Sequence, residues 1–278
     1  MINLTKEKLL SFLIYFASTS LGAISFLYPF FTPGLEQNVP LSEMRAGQAP
    51  LVYSLLVALC LLVILFEVQS QAVDVKLIAL LGMLVAINAA LRFIEVAIPG
   101  PSGFSPIFFL IILTGYVFGG RFGFLMGTLT LFASALITGG IGPWLPSQMF
   151  TVGWVGMSAP LCVPIVRLIH GEGKFSEILI LVIFGALWGL LYGAIINLWS
   201  WPYIAGPSAH FYQPGEGWLE AVKHYSVFYM VTSFVWDLGR SFGNVLLILV
   251  AGSATLRALQ RFKHRFGFSY QPMEGQTA

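Results

Sequence analysis

Apolar segments of about membrane-spanning length, with few or no charges, recur along the whole chain. Hydrophobic residues make up 57% of the 278 positions and charged residues only 9%, a balance outside the range of water-soluble domains. A helix needs about 20 apolar residues to cross the hydrocarbon core, and at these lengths only helices satisfy their own backbone groups in lipid. The sequence therefore predicts an all-α, polytopic membrane helical bundle.

Eight such segments are delimited by charges and turn residues. They cover residues 9–31, 51–68, 76–97, 105–119, 122–137, 147–168, 177–203 and 224–259. Because Lys6 and Lys8 precede the first segment, a cleaved signal peptide is an alternative for it. The segment continues into "FLYPFF" without a clear cleavage site, which favours a membrane helix.

The distribution of basic residues gives the orientation. With eight spans and both termini on one side, ten of the 14 Lys and Arg residues lie on that side, whereas Arg45 and Lys223 lie on the other. Arg92 and Arg240 fall inside predicted helices. Since cytoplasmic loops are enriched in Lys and Arg, we expect a multi-pass protein of the plasma membrane with both termini in the cytoplasm.

Several functional classes are disfavoured by missing motifs. The chain has no Gly-x4-Gly-Lys-Ser/Thr phosphate loop, no His-Glu-x-x-His or Cys-x-x-Cys spacing, and no paired aspartates spaced for magnesium. Ser158 lacks the Gly-x-Ser-x-Gly context of a nucleophile. Cys60 and Cys162 lie in predicted spans, where buried free thiols are expected. We therefore predict no catalytic residue, metal site, cofactor or nucleic-acid partner.

The helix at 76–97 carries small residues on one side. At 100° per residue, Gly82, Ala86 and Ala90 fall within about 80° of one another. Small residues at every fourth position let another helix approach closely in lipid. The partner helix lies either in this bundle or in another protein, and the spacing is compatible with both.

The opposite side of the same helix is polar. Asn88, Arg92 and Glu95 lie within about 60° of one another. A charge at the centre of the bilayer costs about 2.5–3.5 kcal/mol on insertion scales, which favours a polar cavity. The alternative is a local ion pair between Arg92 and Glu95 near the helix end.

The last predicted helix carries a longer polar stripe. Its members fall within about 80° on one face, with Trp236 close by, and they are Tyr229, Ser233, Asp237, Arg240 and Asn244. A structural ion pair between Asp237 and Arg240 is the alternative to a cavity wall. Five successive polar positions exceed what one ion pair requires, so we favour the wall.

Three further helices carry glycine at regular spacing. Asn197 and Trp201 continue a row that starts at Gly189 and Gly193. Trp201 is either an interfacial anchor or a stacking surface for a planar ligand. Gly115, Gly119, Gly123 and Gly127 recur at intervals of four around the turn "GGRFG", a spacing that predicts close packing of a helical hairpin.

These segments together resemble a known family. The stretches "SGFSPIFFLIILTGYVFGGRFGFLMGTLTLFASALITGGIGPWLPSQMFTVGWVG", "LLYGAIINLWSW" and "TSFVWDLGRSFGNVLLIL" look like the substrate-binding S component of an energy-coupling factor (ECF) vitamin transporter. The resemblance covers residues 77–265. It implies a six-helix substrate-binding domain at 72–266, preceded by two additional helices at 1–71 and followed by a cytoplasmic tail at 267–278.

The resemblance implies capture of a water-soluble vitamin or precursor from outside, without catalysis. It also implies a transmembrane coupling subunit and two cytoplasmic ATPase subunits as partners, with Gly82, Ala86 and Ala90 meeting the coupling subunit. The outward loops at 99–103, 139–146 and 202–223 correspond to the segments that close over the ligand.

The corner "TGGIGPWLPSQMF" belongs to one of these loops. A stiff loop loses less entropy on closing than a floppy one, and Pro143 and Pro146 restrict the backbone here. Trp144 then offers an apolar face to ligand or lid, and Gln148 starts the next helix. A plain helix-capping turn with an interfacial tryptophan is the alternative.

The predicted substrate-binding set combines polar and aromatic side chains. It comprises Asn88, Arg92, Glu95, Trp144, Gln148, Asn197, Trp201, Tyr229, Trp236, Asp237, Arg240 and Asn244. The aromatic content favours cobalamin or another large ring-bearing vitamin, with thiamine and riboflavin types as alternatives. The alternative functions are a solitary secondary transporter, or a small membrane enzyme or structural subunit whose inward charges hold helices together.

Overall fold

The computed structural model describes most of the chain from residue 75 to residue 266. The described ranges are 75–97, 103–142, 144–203, 211–213 and 216–266, with isolated helical positions between 16 and 26. The predicted span at 51–68 and the tail at 267–278 lie outside the described residues, as does most of the span at 9–31.

Within the described ranges the chain forms helices and turns, and no strand. The helices are α1 (Val75–Ala97), α2 (Ile107–Phe118), α3 (Gly120–Thr138), α4 (Leu145–Ser158), α5 (Cys162–Leu168), α6 (Phe175–Ser200), α7 (Trp218–Thr232) and α8 (Phe234–Phe266). Two 3-10 turns lie at Ala159–Leu161 and Trp201–Tyr203. The all-helical class is therefore confirmed.

Within the described residues, five stretches are long and apolar enough to cross a membrane, judged by length and composition. They are Lys76–Phe93, Gly120–Thr138, Leu145–Leu168, Phe175–Ser200 and Phe234–Arg265, and the shorter apolar helix α2 accompanies them. These findings support a multi-pass membrane protein. The count of eight spans is not confirmed, because the first two predicted spans lie almost wholly outside the described residues.

Helix α2 forms the centre of the bundle. It contacts α3, α4 and α8, and its residues from Ile107 to Gly115 are all buried. A helix that is apolar on every side is stable only when other elements surround it. Its 12 residues span about 18 Å at 1.5 Å per residue, which is less than the hydrocarbon core, so protein rather than lipid surrounds most of it.

Side chains from two distant helices hold the second end of α2. The ammonium of Lys263 donates to the carbonyl oxygen of Val117 at 2.6 Å, and the hydroxyl of Tyr116 donates to Glu177 at 2.7 Å. A cation at a helix C-terminus is favoured by the unpaired carbonyls there. These contacts fasten α2 to α6 and α8 at one end of the bundle.

The predicted close packing at the glycine-rich hairpin is present, and it includes a third helix. A Cβ added at Gly115 or at Gly123 would overlap the carbonyl oxygen of Gly156 on α4, and one added at Gly156 would overlap the backbone of Gly123. Gly119 has another role, because it joins α2 to α3 with a φ of 101°, a conformation that favours glycine. Three helices therefore meet at backbone contact.

Two predicted helices are interrupted. The span at 147–168 is divided by the turn Ala159–Leu161, where Pro160 has no N–H to continue the helical ladder. The single helix predicted at 224–259 is wrong, because α7 and α8 are separated at Ser233, whose φ is −129°. Together these two helices also extend past both predicted ends, from residue 218 to residue 266.

Candidate functional site

Helices α6 and α8 are joined by side chains that donate to backbone carbonyls. Ser241 donates to Ala186 at 2.9 Å and Asn244 donates to Gly185 at 2.8 Å. Tyr229, on α7, donates to the Leu190 carbonyl of α6 at 3.3 Å. Part of the polar stripe predicted on the last helix is therefore used to pair helices.

Asp237 lies buried in the first turn of α8, at the interface with α6. Its side chain is fully buried and is paired with the guanidinium of Arg240. It also accepts a hydrogen bond from Ser233 at 3.1 Å. The carboxylate occupies the space left by Gly193 on α6, because a Cβ at that position would overlap it. A buried carboxylate requires such partners, since an unpaired charge away from water is strongly destabilising.

Arg240 connects this carboxylate to an aromatic wall. Its guanidinium carbon lies 4.7 Å from the ring centroid of Tyr192 and 5.8 Å from that of Phe108, within the range of cation–π attraction. It also donates to the Gly189 carbonyl at 3.4 Å. Its side chain is 16% exposed, whereas that of Asp237 is 0% exposed. The guanidinium is therefore the more accessible member of the pair.

A second ion pair comes from α1. Arg92 donates to Glu95 at 3.3 Å, and the hydroxyl of Ser105, in the segment before α2, donates to the other carboxylate oxygen at 2.7 Å. The side chains of Arg92 and Glu95 are 24% and 19% exposed. Both are accessible enough to meet a solute at this end of the bundle.

The two ion pairs lie near each other. Arg92, Glu95, Asp237 and Arg240 all interact electrostatically with the buried hydroxyl of Tyr192, and Glu95 also interacts with Arg240. Arg240 of α8 lies over the Tyr192 ring of α6, and the ion pair of α1 lies at the same end of the bundle. We call this group the charged cluster, and it consists of Arg92, Glu95, Ser105, Tyr192, Asp237 and Arg240.

An aromatic group lies at the C-terminal end of α6. Trp201 is 1% exposed, and its ring centroid is 5.2 Å from that of Tyr225 and 5.4 Å from that of Tyr212. Protein rings therefore already pack around much of its surface. One turn earlier, the Nδ2 atom of Asn197 is buried without a hydrogen-bond partner, so an incoming acceptor would satisfy it.

The remaining members of the predicted set lie elsewhere. Asn88 is fully buried and donates to the Ile107 carbonyl at 3.1 Å and to Thr130 at 3.2 Å. Trp144 and Trp236 are 46% and 57% exposed. Gln148 lies in the first turn of α4 and is partly buried. The structure thus brings together Arg92, Glu95, Tyr229, Asp237 and Arg240, and separates Asn88 from them.

Asn88 provides a test of this separation. The Asn88→Ala variant should lower the free energy of unfolding by about 1–3 kcal/mol, because it leaves a buried carbonyl and a buried hydroxyl with fewer partners. Ligand affinity should change less than about twofold. Thermal melting and equilibrium binding on the purified protein check both values, and a large loss of affinity with normal melting would place Asn88 at the ligand.

Sequence reasoning missed three residues of this region. Tyr192 and Ser105 were not predicted as site residues, since Tyr192 lies on the other side of α6 from Asn197 and Trp201, and Ser105 precedes α2. Tyr225 donates to the Ala194 carbonyl, and it could have been found because 225, 229, 233 and 237 continue one spacing of four.

The small-residue strip of α1 faces outward from the bundle. Gly82, Ala86 and Ala90 are exposed, and so is Ala79 on the same side. A Cβ added at Gly82 would have no neighbour within 4 Å. Among the described residues, no helix covers the strip.

The family model described as the substrate-specific component of ECF transporters matches residues 76–252. The searches against curated proteins and against solved structures returned no significant match. The matched region begins in α1 and ends in α8, so it includes the charged cluster and the strip.

Proposed function

Because the chain belongs to the family of substrate-specific components of ECF transporters, we propose that it captures a water-soluble vitamin or vitamin precursor from outside the cell. As a member of this family it is a substrate-binding membrane subunit rather than a catalytic one. Import is then driven by ATP hydrolysis in partner subunits, and the protein lies in the plasma membrane with both termini in the cytoplasm.

The observation that carries this proposal is the charged cluster. Two ion pairs from different helices meet beside Tyr192 at the end of the bundle where α1 and α6 end and α8 begins. Charges inside a membrane bundle are costly and tend to mark substrate pathways. We propose that the accessible guanidinium groups of Arg92 and Arg240 contact the ligand and that the unpartnered amide of Asn197 adds a donor.

The aromatic side chains support a ring-bearing ligand. Tyr192 and Phe108 already flank Arg240, and Trp201 lies among aromatic rings nearby along α6. A cobalamin-like solute is our preferred ligand, with riboflavin and thiamine types as alternatives. Trp144, Gln148 and Trp236 would then act from the closing loops or the outer surface rather than from the cluster itself.

The partners follow from the family and from the strip. We propose that Gly82, Ala86 and Ala90 pack against a helix of the transmembrane coupling subunit, which carries two cytoplasmic ATPase subunits. Close backbone approach is the main source of helix affinity in lipid, and the exposure of the strip supports this role.

A structural role for the polar residues is the second candidate. It is favoured by the hydrogen bonds from Ser241 and Asn244 to α6, which require no ligand. A solitary secondary transporter is a third candidate, and it predicts uptake in cells that lack any coupling subunit.

The Arg92→Gln variant distinguishes solute binding from a purely structural role. We expect at least a tenfold loss of affinity, about 1.4 kcal/mol, for the solute that mass spectrometry identifies in the purified wild-type protein, with near-normal melting. Lys223→Gln is the matched control, because it removes a cation from the exposed pair that Lys223 forms with Glu220. Loss of folding in Arg92→Gln with no separate loss of binding would favour the structural role.

A further inference from the structure

The charged cluster contains equal numbers of opposite charges. Arg92 is paired with Glu95, and Arg240 is paired with Asp237. Each arginine therefore already has a carboxylate at hydrogen-bonding distance, three residues away on its own helix. The net formal charge of the cluster is zero.

Two further carboxylates among the described residues near this end of the bundle also have partners. Glu216 lies 2.6 Å from His224, and Glu220 lies 2.9 Å from Lys223. The hydrogen bond from Lys223 lowers the pKa of Glu220, which favours its charged form. The adjoining sequence at 98–102, 204–210 and 214–215 contains no Asp, Glu, Lys or Arg. These stretches therefore add no formal charge to balance a charged ligand.

Charge pairing determines what the cluster can bind. An anion that reaches Arg92 or Arg240 must share the guanidinium with Glu95 or Asp237, and the resulting group has a net negative charge with little access to water. A cation meets the same difficulty at the carboxylates, because Asp237 is fully buried behind Arg240. Uncompensated charge of this kind is strongly unfavourable in a low dielectric, and like charges brought together discriminate against the wrong partner.

A neutral solute avoids both costs. The guanidinium of Arg240 has five N–H donors, and its contacts to Asp237 and Gly189 both use Nη1. Carbonyl oxygens and ring nitrogens accept from such donors without adding charge. The flat faces of Tyr192 and Phe108 suit an unsaturated ring.

Resting on the proposed function, we infer that the ligand of the charged cluster carries no net charge at neutral pH and presents carbonyl or ring-nitrogen acceptors to the arginines. The cluster thereby selects against phosphorylated or carboxylated forms of the same ring system.

Binding to paired probes tests this inference. The purified full-length protein is titrated with cobalamin, with riboflavin and riboflavin 5′-phosphate, with nicotinamide and nicotinate, and with thiamine as the cation, while native mass spectrometry identifies any solute retained from rich medium. We expect a retained solute without net charge. Within any pair that binds, the neutral member should bind at least about tenfold more tightly.

The Glu95→Gln variant should reverse the preference. It gives the cluster a net positive charge, so the ratio of anion affinity to neutral affinity should rise at least about tenfold. Glu220→Gln makes the same chemical change in an exposed pair and should leave the ratio unchanged. Asp237→Asn repeats the test in the other ion pair if Glu95→Gln does not fold.

The outcomes are distinguishable. A retained solute with a net charge, or equal affinity for the anionic member of a pair, overturns the inference and leaves vitamin capture in place. An unchanged ratio in a folded Glu95→Gln or Asp237→Asn protein also overturns it. Absence of any retained solute together with no binding of any probe overturns the proposed function, and the inference with it.

Discussion

The Ala86→Leu variant is expected to lose copurification with the coupling subunit, while its folding and ligand binding stay intact. Ala86 lies between Gly82 and Ala90 on the exposed strip, so a bulky side chain there holds the partner helix away along the whole contact. Substitutions at the centre of an interface cost about 2 kcal/mol or more, which corresponds to at least about a 30-fold loss of affinity.

The measurement is affinity purification of the chain coexpressed with the coupling and ATPase subunits, with melting and ligand binding recorded on the isolated variant. Ala254→Leu is the matched control, because it adds the same side chain at an exposed position of α8. Normal recovery of the partner with Ala86→Leu would mean that the strip is not the contact. Loss of ligand binding as well would mean that the substitution acts through the fold.

Helix positions follow closely from hydropathy in most of the described chain. The spans predicted at 76–97 and 122–137 correspond to Val75–Ala97 and Gly120–Thr138, because charges and glycines bound each apolar run. The predictions at 105–119 and 177–203 also end within a few residues of α2 and α6. In lipid the backbone must satisfy its own hydrogen bonds, which requires a helix long enough to span the bilayer. The hydropathy pattern alone is therefore sufficient to predict these helices.

The bounds of α7 and α8 are harder to predict from hydropathy, because helical hydrogen bonding continues beyond the apolar residues. Helix α7 starts six residues before the predicted span and includes the exposed pair Glu220 and Lys223. Helix α8 runs through a basic stretch to Phe266. A window that seeks apolar residues ends at such charges, whereas a helix continues through them. The break at Ser233 has no proline or glycine beside it to indicate it.

Helical-wheel positions predict which residues share a face of a helix, but they do not predict which helix packs against that face. Asp237 and Arg240 share the expected face of α8, and Arg92 and Glu95 share that of α1, yet a helical wheel does not say which helix packs opposite. Asn88 belongs to the same predicted face and instead contacts α2 and α3. Trp236 directly precedes Asp237 in the sequence but is 57% exposed, since adjacent residues on a helix point about 100° apart.

The vertical order of the helices explains this difference. Asn88 lies one turn nearer the middle of α1 than Arg92, at the level where Ile107 begins the buried helix α2 and Thr130 faces it from α3. Arg92 lies beyond the start of α2. At that level Ser105, the C-terminal end of α6 and the N-terminal end of α8 are the neighbouring elements. The neighbour of each polar residue on α1 therefore depends on where α2 begins. The spacing of residues on α1 does not contain that information.

The Gly156→Leu variant is expected to be strongly destabilised. Gly156 contacts the backbone of Gly123, and the Cβ of any other residue would overlap it. The overlapping atoms are backbone atoms of a neighbouring helix, which cannot move aside as a flexible side chain does. Overpacking in a core typically costs about 1–3 kcal/mol, and we expect at least the upper value here because α2, α3 and α4 all meet at this point. A protein with about 5–15 kcal/mol of total stability then loses a large share of that stability, which lowers its melting temperature and its yield.

The measurement is the yield of monodisperse protein in detergent and its melting temperature. Gly82→Leu is the matched control, because a Cβ at Gly82 has no neighbour within 4 Å and leucine favours a helix more than glycine does. The control should therefore fold as well as the wild type and fail only to bind the coupling subunit. The two variants thus separate close approach within the bundle, at Gly156, from the partner contact that we propose at Gly82. Normal melting of Gly156→Leu would contradict the backbone contact of the three helices.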